Sequence, residues 1–487
     1  MASEIRVNTF KNRSGLGTVS INDTGASFSG VVTATSGFSG DLTGNSIVVG
    51  DKFINSSGVG IGTTDTTGRN AGVGTAIGTL IYNTTVNTVQ TWIGSQWANL
   101  YDPVKLNSIT GSLLVGTETT LTLTGTNFGP VGNITVNFSG GSLNENITGQ
   151  ITVENTTGIV TTTSAVFDAV SSGDNITIRF TNSEGLESSS QSITAKTPPV
   201  GGATTTTYES GGTNYRSHTF TTSGSFVVSP TYPVTVDYLI VAGGGGAGRD
   251  QAGGGGAGGL IFEPGQTITA GSYTVTIGAG GASAIDSASA PSSGEDTTFL
   301  GLTALGGGPG SYGNTNSISK DGGSGGGGDG EGRNPSGGTG LQFSSTDGGY
   351  GNDGGDGANP GAAGGGGGAG SAGSNANGSN GGAGGDGLKE VTVSGTIYNF
   401  ATIFGTNYGE LISGEAWFAG GGGGADDPGN VSASGGKGGG GDATTSSTDP
   451  AGEDGAINTG GGGGGSWSSG LSGGSGGSGI VIIRYAI

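Results

Sequence analysis

Glycine dominates one long stretch of this chain and limits what the chain can fold into. Residues 243–479 hold 84 of the 116 glycines in the 487-residue sequence. One interpretation is a flexible linker, because glycine-rich chains behave as random coils and glycine loses about 0.5–1 kcal/mol on ordering relative to alanine. However, two strand-like segments, VDYLIVA at 236–242 and IVIIRY at 480–485, bracket the stretch, and apolar segments such as 260–262 interrupt it. These features indicate a folded domain.

Glycine has a specific use in such a domain. Without Cβ atoms, extended helices with three residues per turn can pack closely enough for neighbouring backbones to hydrogen-bond, as in collagen. Collagen itself is excluded, since there is no strict three-residue period and the chain has 13 prolines. Runs such as 364–368, 421–424 and 460–465 therefore predict polyglycine II-type helices framed by β-strands, with loops that carry the side chains.

Composition narrows the class of protein further. The sequence shows no sustained helical periodicity, so the predicted fold class is all-β. The net charge of −21 would repel a phosphate backbone, which argues against a nucleic-acid partner. The chain has no cysteine and one methionine, so it offers no thiol or disulfide chemistry.

The first residues bear on where the protein acts. MASEIR lacks the apolar core of a signal peptide, and no apolar run reaches the ~18–20 residues of a membrane span. We therefore expect no membrane insertion. A chain suited to the cell exterior but without a standard export signal fits a virus particle that host lysis releases.

Residues 1–102 read as short strands between glycine turns. FSG at 28–30 recurs at 38–40, and further strand segments lie near 59–64 and 78–83. Segments so short and so poor in apolar residues cannot form a core alone, so we expect several chains to share one interior. The predicted structure is an oligomeric shaft, with a homotrimer as the expected assembly.

Two segments of this region carry a family resemblance. VGIGTT at 59–64, and the stretch from GTLIYNT at 78–84 to WIGSQWANL at 92–100, resemble segments of tail fibres and other appendages of tailed bacteriophages. The resemblance covers about the first fifth of the chain. It implies attachment to other tail or baseplate proteins of a virion through the N-terminal region.

Residues 103–197 have a different sequence pattern. Alternating strands such as 119–124 and 175–180 are separated by turn signals, which predicts a β-sandwich of immunoglobulin type. The turn LTGTNFG at 123–129 is similar to one in the IPT/TIG family of such domains. That resemblance implies a spacer.

Residues 198–487 form the third predicted domain. After the stiff linker TPPVGG at 197–202, the motifs YLIVAGGGG at 238–246, GSYTVTIG at 271–278 and GIVIIRY at 479–485 resemble the glycine-rich domain at the ends of phage tail fibres and adhesins. In that family, polyglycine helices form a sandwich whose far loops touch the host receptor. The resemblance implies a receptor-binding tip.

Several catalytic and cofactor motifs are false matches here. Gly243, Gly245 and Gly248 fit a dinucleotide fingerprint, but the residues that follow cannot start the helix that holds a pyrophosphate. His218 is the one histidine and is predicted to lie in a strand. A lone imidazole without an organised partner makes no catalytic site, so we predict a non-enzymatic protein without a cofactor.

Three aspartates are weak candidates for a metal site. Asp347, Asp353 and Asp356 place carboxylates close together in sequence, which suits calcium. Their spacing differs from that of known calcium loops, so the alternative is solvated turn residues.

The resulting hypothesis is a phage tail fibre or adhesin located on the virion, which binds a host surface glycan or an outer-membrane protein. The candidate receptor-binding residues are aromatic residues in loops of the glycine-rich stretch without apolar neighbours: Tyr312, Phe343, Tyr350, Tyr408, Trp417 and Trp467. Aromatic faces stack on sugars or fill protein pockets. Burial against the helix bundle is the alternative for Trp417. Two other functions remain open, a purely structural head or tail protein and a glycan-degrading tailspike.

Overall fold

The computed structural model describes most of the chain. The described residues are 9–11, 18–22, 25–29, 46–49, 52–55, 58–72, 77–100, 104–115, 119–126, 135–141, 143–147, 151–154, 157–162, 170–181, 187–286, 289–312, 320–342, 349–426, 433–444 and 451–487. The chain divides into two compact units, Met1–Asp102 and Pro103–Ile487.

The first unit consists of short strands and one short helix. Its described elements are β1 (Thr9–Lys11), β2 (Thr18–Asn22), β3 (Gly25–Ser29), β4 (Ser46–Val49), β5 (Lys52–Asn55), β6 (Gly58–Gly60), β7 (Thr63–Thr64), α1 (Thr66–Gly72), β8 (Leu80–Asn83), β9 (Thr88–Trp92) and β10 (Trp97–Asn99). They form three small sheets, β1-β2-β3, β4-β5-β6 and β10-β9-β8-β7. The short strands agree with the sequence, while the oligomeric shaft stays a prediction.

The second unit begins with two four-stranded antiparallel sheets. The strands are β11 (Lys105–Thr110), β12 (Thr119–Thr126), β13 (Thr135–Gly140), β14 (Leu143–Ile147), β15 (Ile151–Glu154), β16 (Thr157–Thr162), β17 (Asn175–Thr181) and β18 (Gln191–Thr194). Their orders are β11-β12-β16-β15 and β14-β13-β17-β18. Leu121 and Leu123 from one sheet pack with Phe138 and Ile178 from the other in one buried core. The IPT/TIG resemblance stays a prediction, because most of its turn lies outside the described residues.

The rest of the second unit is organised around a six-stranded sheet. The described elements are β19 (Thr204–Ser210), β20 (Thr213–Phe220), β21 (Gly224–Val228), β22 (Val234–Val241), β23 (Leu260–Ile268), β24 (Gly271–Val275), β25 (Thr297–Phe299), β26 (Leu302–Ala304), β27 (Gly349–Tyr350), β28 (Glu390–Val393), β29 (Thr396–Asn399), α2 (Phe400–Phe404), β30 (Glu410–Ile412), β31 (Glu415–Trp417) and β32 (Ile480–Ala486). The sheet order is β19-β20-β32-β22-β23-β27.

The central strands of this sheet are buried on both faces. Ile240 and Ile483 point into one core cluster, whereas Leu239 and Ile482 point into another on the opposite face. Strands covered on both sides need apolar residues at consecutive positions, not in alternation. This explains why the segments that bracket the glycine stretch are almost continuously apolar. The predicted all-β fold class is confirmed.

The two helices of the described residues are short. Helix α1 has seven residues and α2 has five. Neither has the length and apolar character needed to cross a bilayer.

Between the strands, glycine segments hydrogen-bond to one another through their backbones. Consecutive residues from 254 to 259 donate to three different neighbouring segments in turn, and residues three apart donate to the same segment. The donor–acceptor pairs are Gly254–Gly364 (3.2 Å), Gly255–Gly463 (2.8 Å), Gly256–Gly308 (2.8 Å), Ala257–Gly367 (2.9 Å), Gly258–Gly460 (2.9 Å) and Gly259–Leu305 (2.8 Å). A period of three is what three-residue helices require, and their assignment as polyglycine II helices stays a prediction.

Close backbone approach explains why these positions are glycine. A Cβ atom built on Gly255 would meet the carbonyl oxygen of Gly245 well inside van der Waals contact. That obstacle is backbone and not a flexible side chain, so it cannot rotate away. At the glycine positions of 254–258, an added methyl group would force two hydrogen-bonded backbones apart.

We predict that Gly255→Ala destabilises the protein by about 1–3 kcal/mol or more, the usual range for an overpacked interior. Thermal unfolding of the variant and the wild type measures the effect. Gly224→Ala is the matched control, since its Cβ would lie 3.5 Å from the Phe220 ring, an ordinary contact. Equal losses in the two variants would contradict the close-packing argument.

Candidate functional site

The glycine segments leave the six-stranded sheet and return to it as long hairpins. From the end of β22 the chain runs outward and comes back to β23, as two bonds between its arms show: Ala242 N–H to Gly259 O (3.0 Å) and Gly245 N–H to Gly256 O (2.8 Å). Its turn, at 249–251, therefore lies at the end away from the strands.

A second hairpin follows the same course before β32. Its arms are joined by bonds from Gly460 N–H to Ser478 O (3.0 Å) and from Gly474 N–H to Gly464 O (2.9 Å). The turn between the arms, at 466–472, lies beside the first turn, because Gln251 N–H donates to the carbonyl oxygen of Trp467 (3.1 Å).

Further turns join these two. Gly330 N–H donates to Gln251 O (3.0 Å), and Gly361 N–H donates to Gly330 O (2.8 Å). On another side, Ala284 N–H donates to Ala247 O (3.1 Å). We call this set of turns the loop end; it comprises residues 249–252, 283–286, 311–312, 329–335, 358–361 and 466–472. The opposite end, which carries the sheet, is the strand end.

One turn of the loop end is held from inside by buried charges. Asp329 is fully buried, and its carboxylate accepts N–H bonds from Glu331 (3.0 Å), Arg333 (3.1 Å) and Asn334 (2.5 Å). The Lys320 ammonium, also buried, donates to the carbonyl oxygens of Asn334 (2.9 Å) and Ser336. Burial lowers the pKa of Lys320, an effect that nearby carboxylates oppose. These bonds fix the turn while the Arg333 side chain remains exposed.

Two of the predicted receptor-binding aromatic residues belong to the loop end. Tyr312 is 4% exposed, and its hydroxyl donates to the carbonyl oxygen of Asp286 (3.0 Å). Tyr312 is therefore buried and offers little surface to a receptor. Trp467 is half-buried in its turn, where its backbone N–H donates to Thr444 Oγ1 (3.2 Å). Its indole Nε1 is buried and has no hydrogen-bond partner among the described residues.

Three other predicted residues lie at the strand end. Tyr350 is in β27, paired with Leu260, and Tyr408 donates from its hydroxyl to Thr204 Oγ1 (3.1 Å). Both pack against the core cluster that contains Phe262. Trp417 lies in β31 rather than in a loop. The prediction that these side chains have no apolar neighbours is wrong for Tyr350 and Tyr408, because the turn-rich sequence around them does not reveal the sheet and helix they meet.

Trp417 has two cations beside its ring. The ammonium groups of Lys437 and Lys389 lie 4.9 and 5.8 Å from the ring centroid. Their charges are compensated by Asp386 (2.8 Å) and Glu415 (3.6 Å). Lys437 and Lys389 of the same chain therefore already contact the Trp417 ring. Phe343, the last predicted residue, lies outside the described residues.

The aspartates proposed for calcium make backbone contacts. Asp353 Oδ1 accepts the N–H of Gly340 (2.8 Å), and Asp356 Oδ1 accepts that of Gly337 (2.8 Å). Asp347 lies outside the described residues. Within the described part of the chain, no three acidic or histidine side chains gather as a metal site would require.

His218 lies in β20, so its predicted strand placement is confirmed. It is 2% exposed, its ring stacks on Tyr485 with 5.7 Å between centroids, and Nδ1 lies 2.8 Å from the carbonyl oxygen of Gly201. Burial lowers the pKa of this histidine. The imidazole packs in the interior of the sheet at the strand end.

Sequence reasoning missed the non-aromatic side chains of the loop end. Ile285 is 67% exposed, and its carbonyl oxygen accepts a bond from Arg249 Nη1 (3.3 Å). Arg333 is exposed in the turn that Asp329 holds. A signal existed for Arg249, since it lies midway between two glycine runs of similar length, where a hairpin must turn.

A buried carboxyl group lies next to the loop end. Asp426 is 1% exposed, accepts the N–H of Gly381 through Oδ1, and follows Ala425, which donates to Ala252 O (3.0 Å). Its Oδ2 is buried without a hydrogen-bond partner among the described residues. Burial raises the pKa of Asp426 to about 6, although the N–H of Ala433 acts in the opposite direction.

We predict that Asp426→Asn stabilises the protein increasingly as the pH rises from 4 to 7. The pKa of Asp426 is raised in the folded state from 3.8 to about 6, so folding favours the protonated carboxyl group. The wild type has its full stability below the unfolded-state pKa and loses the contribution of Asp426 as the pH rises through the folded-state pKa, whereas Asn does not titrate. The loss is at most about 3 kcal/mol, since one pKa unit corresponds to about 1.36 kcal/mol.

Denaturant unfolding at both pH values measures this difference. Asp353→Asn, at an exposed aspartate, controls for removal of one negative charge. A difference between Asp426→Asn and wild type that is the same at both pH values would refute the assignment.

One comparison with known protein families gives a match. A family model described as "Glycine-rich domain" matches residues 221–486, more than half of the chain. No curated protein matches the sequence. The matched range begins just before β21 and ends with β32, so it contains the six-stranded sheet except for β19 and β20, and all the turns of the loop end. The chain belongs to the glycine-rich domain family.

Proposed function

We propose that this protein is a phage tail fibre or adhesin on the virion, and that the loop end of its glycine-rich domain binds the host cell surface. The observation that carries the proposal is the gathering of separate turns at one end of a backbone-bonded scaffold. Turns from distant parts of the sequence meet there, as the bonds linking Gln251, Trp467 and Gly330 illustrate.

Such a scaffold suits recognition for a physical reason. Binding residues are often found in loops that a rigid framework positions, because loops vary in sequence without disturbing the core. Here the framework is held by backbone hydrogen bonds that depend little on side chains. The turns are free to carry aliphatic, aromatic and cationic groups, as Ile285, Trp467 and Arg333 do. These are useful side chains for contacts with a glycan or an outer-membrane protein.

The other parts of the chain take supporting roles in this proposal. Residues 1–102 attach the protein to tail or baseplate proteins and assemble as a homotrimer. The sandwich at 103–197 acts as a spacer. The protein is not an enzyme, and binding needs neither a cofactor nor a nucleic acid.

We predict that the double substitution Arg249→Ala with Ile285→Ser weakens binding of the labelled full-length protein to host cells at least about tenfold. Truncating one of the few residues that dominate an interface costs more than 1 kcal/mol, and 1.4 kcal/mol corresponds to tenfold. Ile457→Ser is the matched control. Ile457 is 76% exposed, like Ile285 at 67%, but it lies at the strand end.

Blocking of particle adsorption by the wild-type protein is the second measurement. Binding that survives the loop-end substitutions but falls with Ile457→Ser would move the receptor site to the strand end. A folded wild-type protein that neither binds cells nor blocks adsorption would refute receptor binding and favour a purely structural particle protein.

A further inference from the structure

The four-stranded sheet of the first unit has one face covered by helix α1. Arg69 of the helix reaches across this face, donates from Nη1 to Gln90 Oε1 (2.7 Å), and places its guanidinium 5.9 Å from the Trp97 ring. Trp97 in turn packs edge-on against Trp92, with 5.7 Å between ring centroids.

The interior under α1 is largely polar. Asn83 is fully buried and Gln90 is 5% exposed. Asn83 Nδ2 donates to Gln90 Oε1 (2.8 Å), and Gln90 Nε2 donates to Asn99 Oδ1 (2.7 Å). Among residues 61–72 and 77–100, Ile81 is the one buried hydrophobic side chain. These two described ranges therefore form no hydrophobic core of their own.

The apolar side chains lie on the other face. Side chains alternate along a strand, so with Ile81 and Gln90 facing α1 the intervening residues face away. The strand pairings then place five side chains together on this open face: Leu80, Tyr82, Val89, Thr91 and Ala98. Leu100 continues the last strand. Leu80 is 42% exposed and Leu100 is 59% exposed. Two more exposed residues, Ile77 (80%) and Ile93 (49%), lie in the adjoining turns.

The open face also lacks charge. Residues 70–101 contain no Asp, Glu, Lys or Arg, in a chain whose net charge is −21. Two copies of this chain would repel each other over most of their surfaces. At the open face they can meet without burying an unpaired charge, which is the costly event at an interface.

A sheet with one exposed apolar face gains stability when that face is covered, because removing apolar surface from water is favourable. The sequence has no cysteine for a disulfide, and the described residues contain no cluster of three or more His, Cys, Asp or Glu side chains that could bind a metal. We propose, building on the homotrimer of the proposed function, that the open face of the β7–β10 sheet is the surface through which this chain binds further copies of itself.

Mass photometry and sedimentation velocity of the full-length protein test this proposal. The wild type should be oligomeric at micromolar concentration, and Leu80→Glu with Leu100→Glu should weaken self-association at least tenfold, because each copy would bury two charges in the contact. Leu411→Glu is the matched control, since Leu411 is 56% exposed in the second unit. Its oligomeric state should equal that of the wild type.

A milder experiment covers the case in which the glutamate variant does not fold, as circular dichroism would show. The chain has no native cysteine, so Thr91→Cys provides a single thiol on the open face. A short bismaleimide should join copies of Thr91→Cys, but not copies of Ser272→Cys, whose thiol is exposed in the second unit.

Three results would overturn the assignment: a monomeric wild type, unchanged oligomers in the double variant, or equal cross-linking of both thiols. None of these measurements involves host cells, and the loop-end substitutions leave the open face intact. Failure of self-association is thus distinguishable from failure of receptor binding.

Discussion

The hydrogen bond between one glycine backbone and another is the interaction on which the second unit depends. A β-strand bonds to neighbours on two sides, whereas the segment at 254–259 bonds to neighbours in three directions. Each bond contributes only about 1 kcal/mol net, but a buried N–H or C=O group left without a partner costs more than that. The segments must therefore form together. This requirement also gathers the turns, because segments that pack side by side with matched lengths bring their turns to common ends.

The acidity of the chain follows from the same interaction. A glycine segment at the outside of the packed set has N–H groups that no further segment is there to accept. Carboxylates accept bonds from several of these N–H groups. Asp296 accepts from Gly306, Asp321 from Thr339 and Asp454 from Ser475. An ionised carboxylate accepts without needing a donor in return. The negative charge is thus partly a backbone requirement, in addition to its effect on solubility.

The sequence allowed the all-β class, the central strands and the packed glycine segments to be predicted, because continuous apolar runs and missing Cβ atoms have direct physical meaning. It did not allow the ends of the domain to be told apart. Tyr350 and Tyr408 have glycines and polar residues as sequence neighbours, yet they meet the strand-end core in space. Tyr312 is buried, and its hydroxyl donates to the carbonyl oxygen of Asp286, 26 positions away. Contacts of this kind depend on which segments lie side by side, and a run of glycines carries little information about its neighbours.

The three-residue period described for 254–259 has a consequence for how such a domain can vary. Adding one residue inside a glycine segment rotates everything beyond it by a third of a turn, so each N–H would face the wrong neighbour. Three added residues restore the directions and shift the segment along its axis. Turns at the loop end obey no such rule. Insertions and deletions should therefore accumulate freely in the turns. The lengths of the glycine segments should change only in steps of three residues, as insertions in a gene must to keep its reading frame.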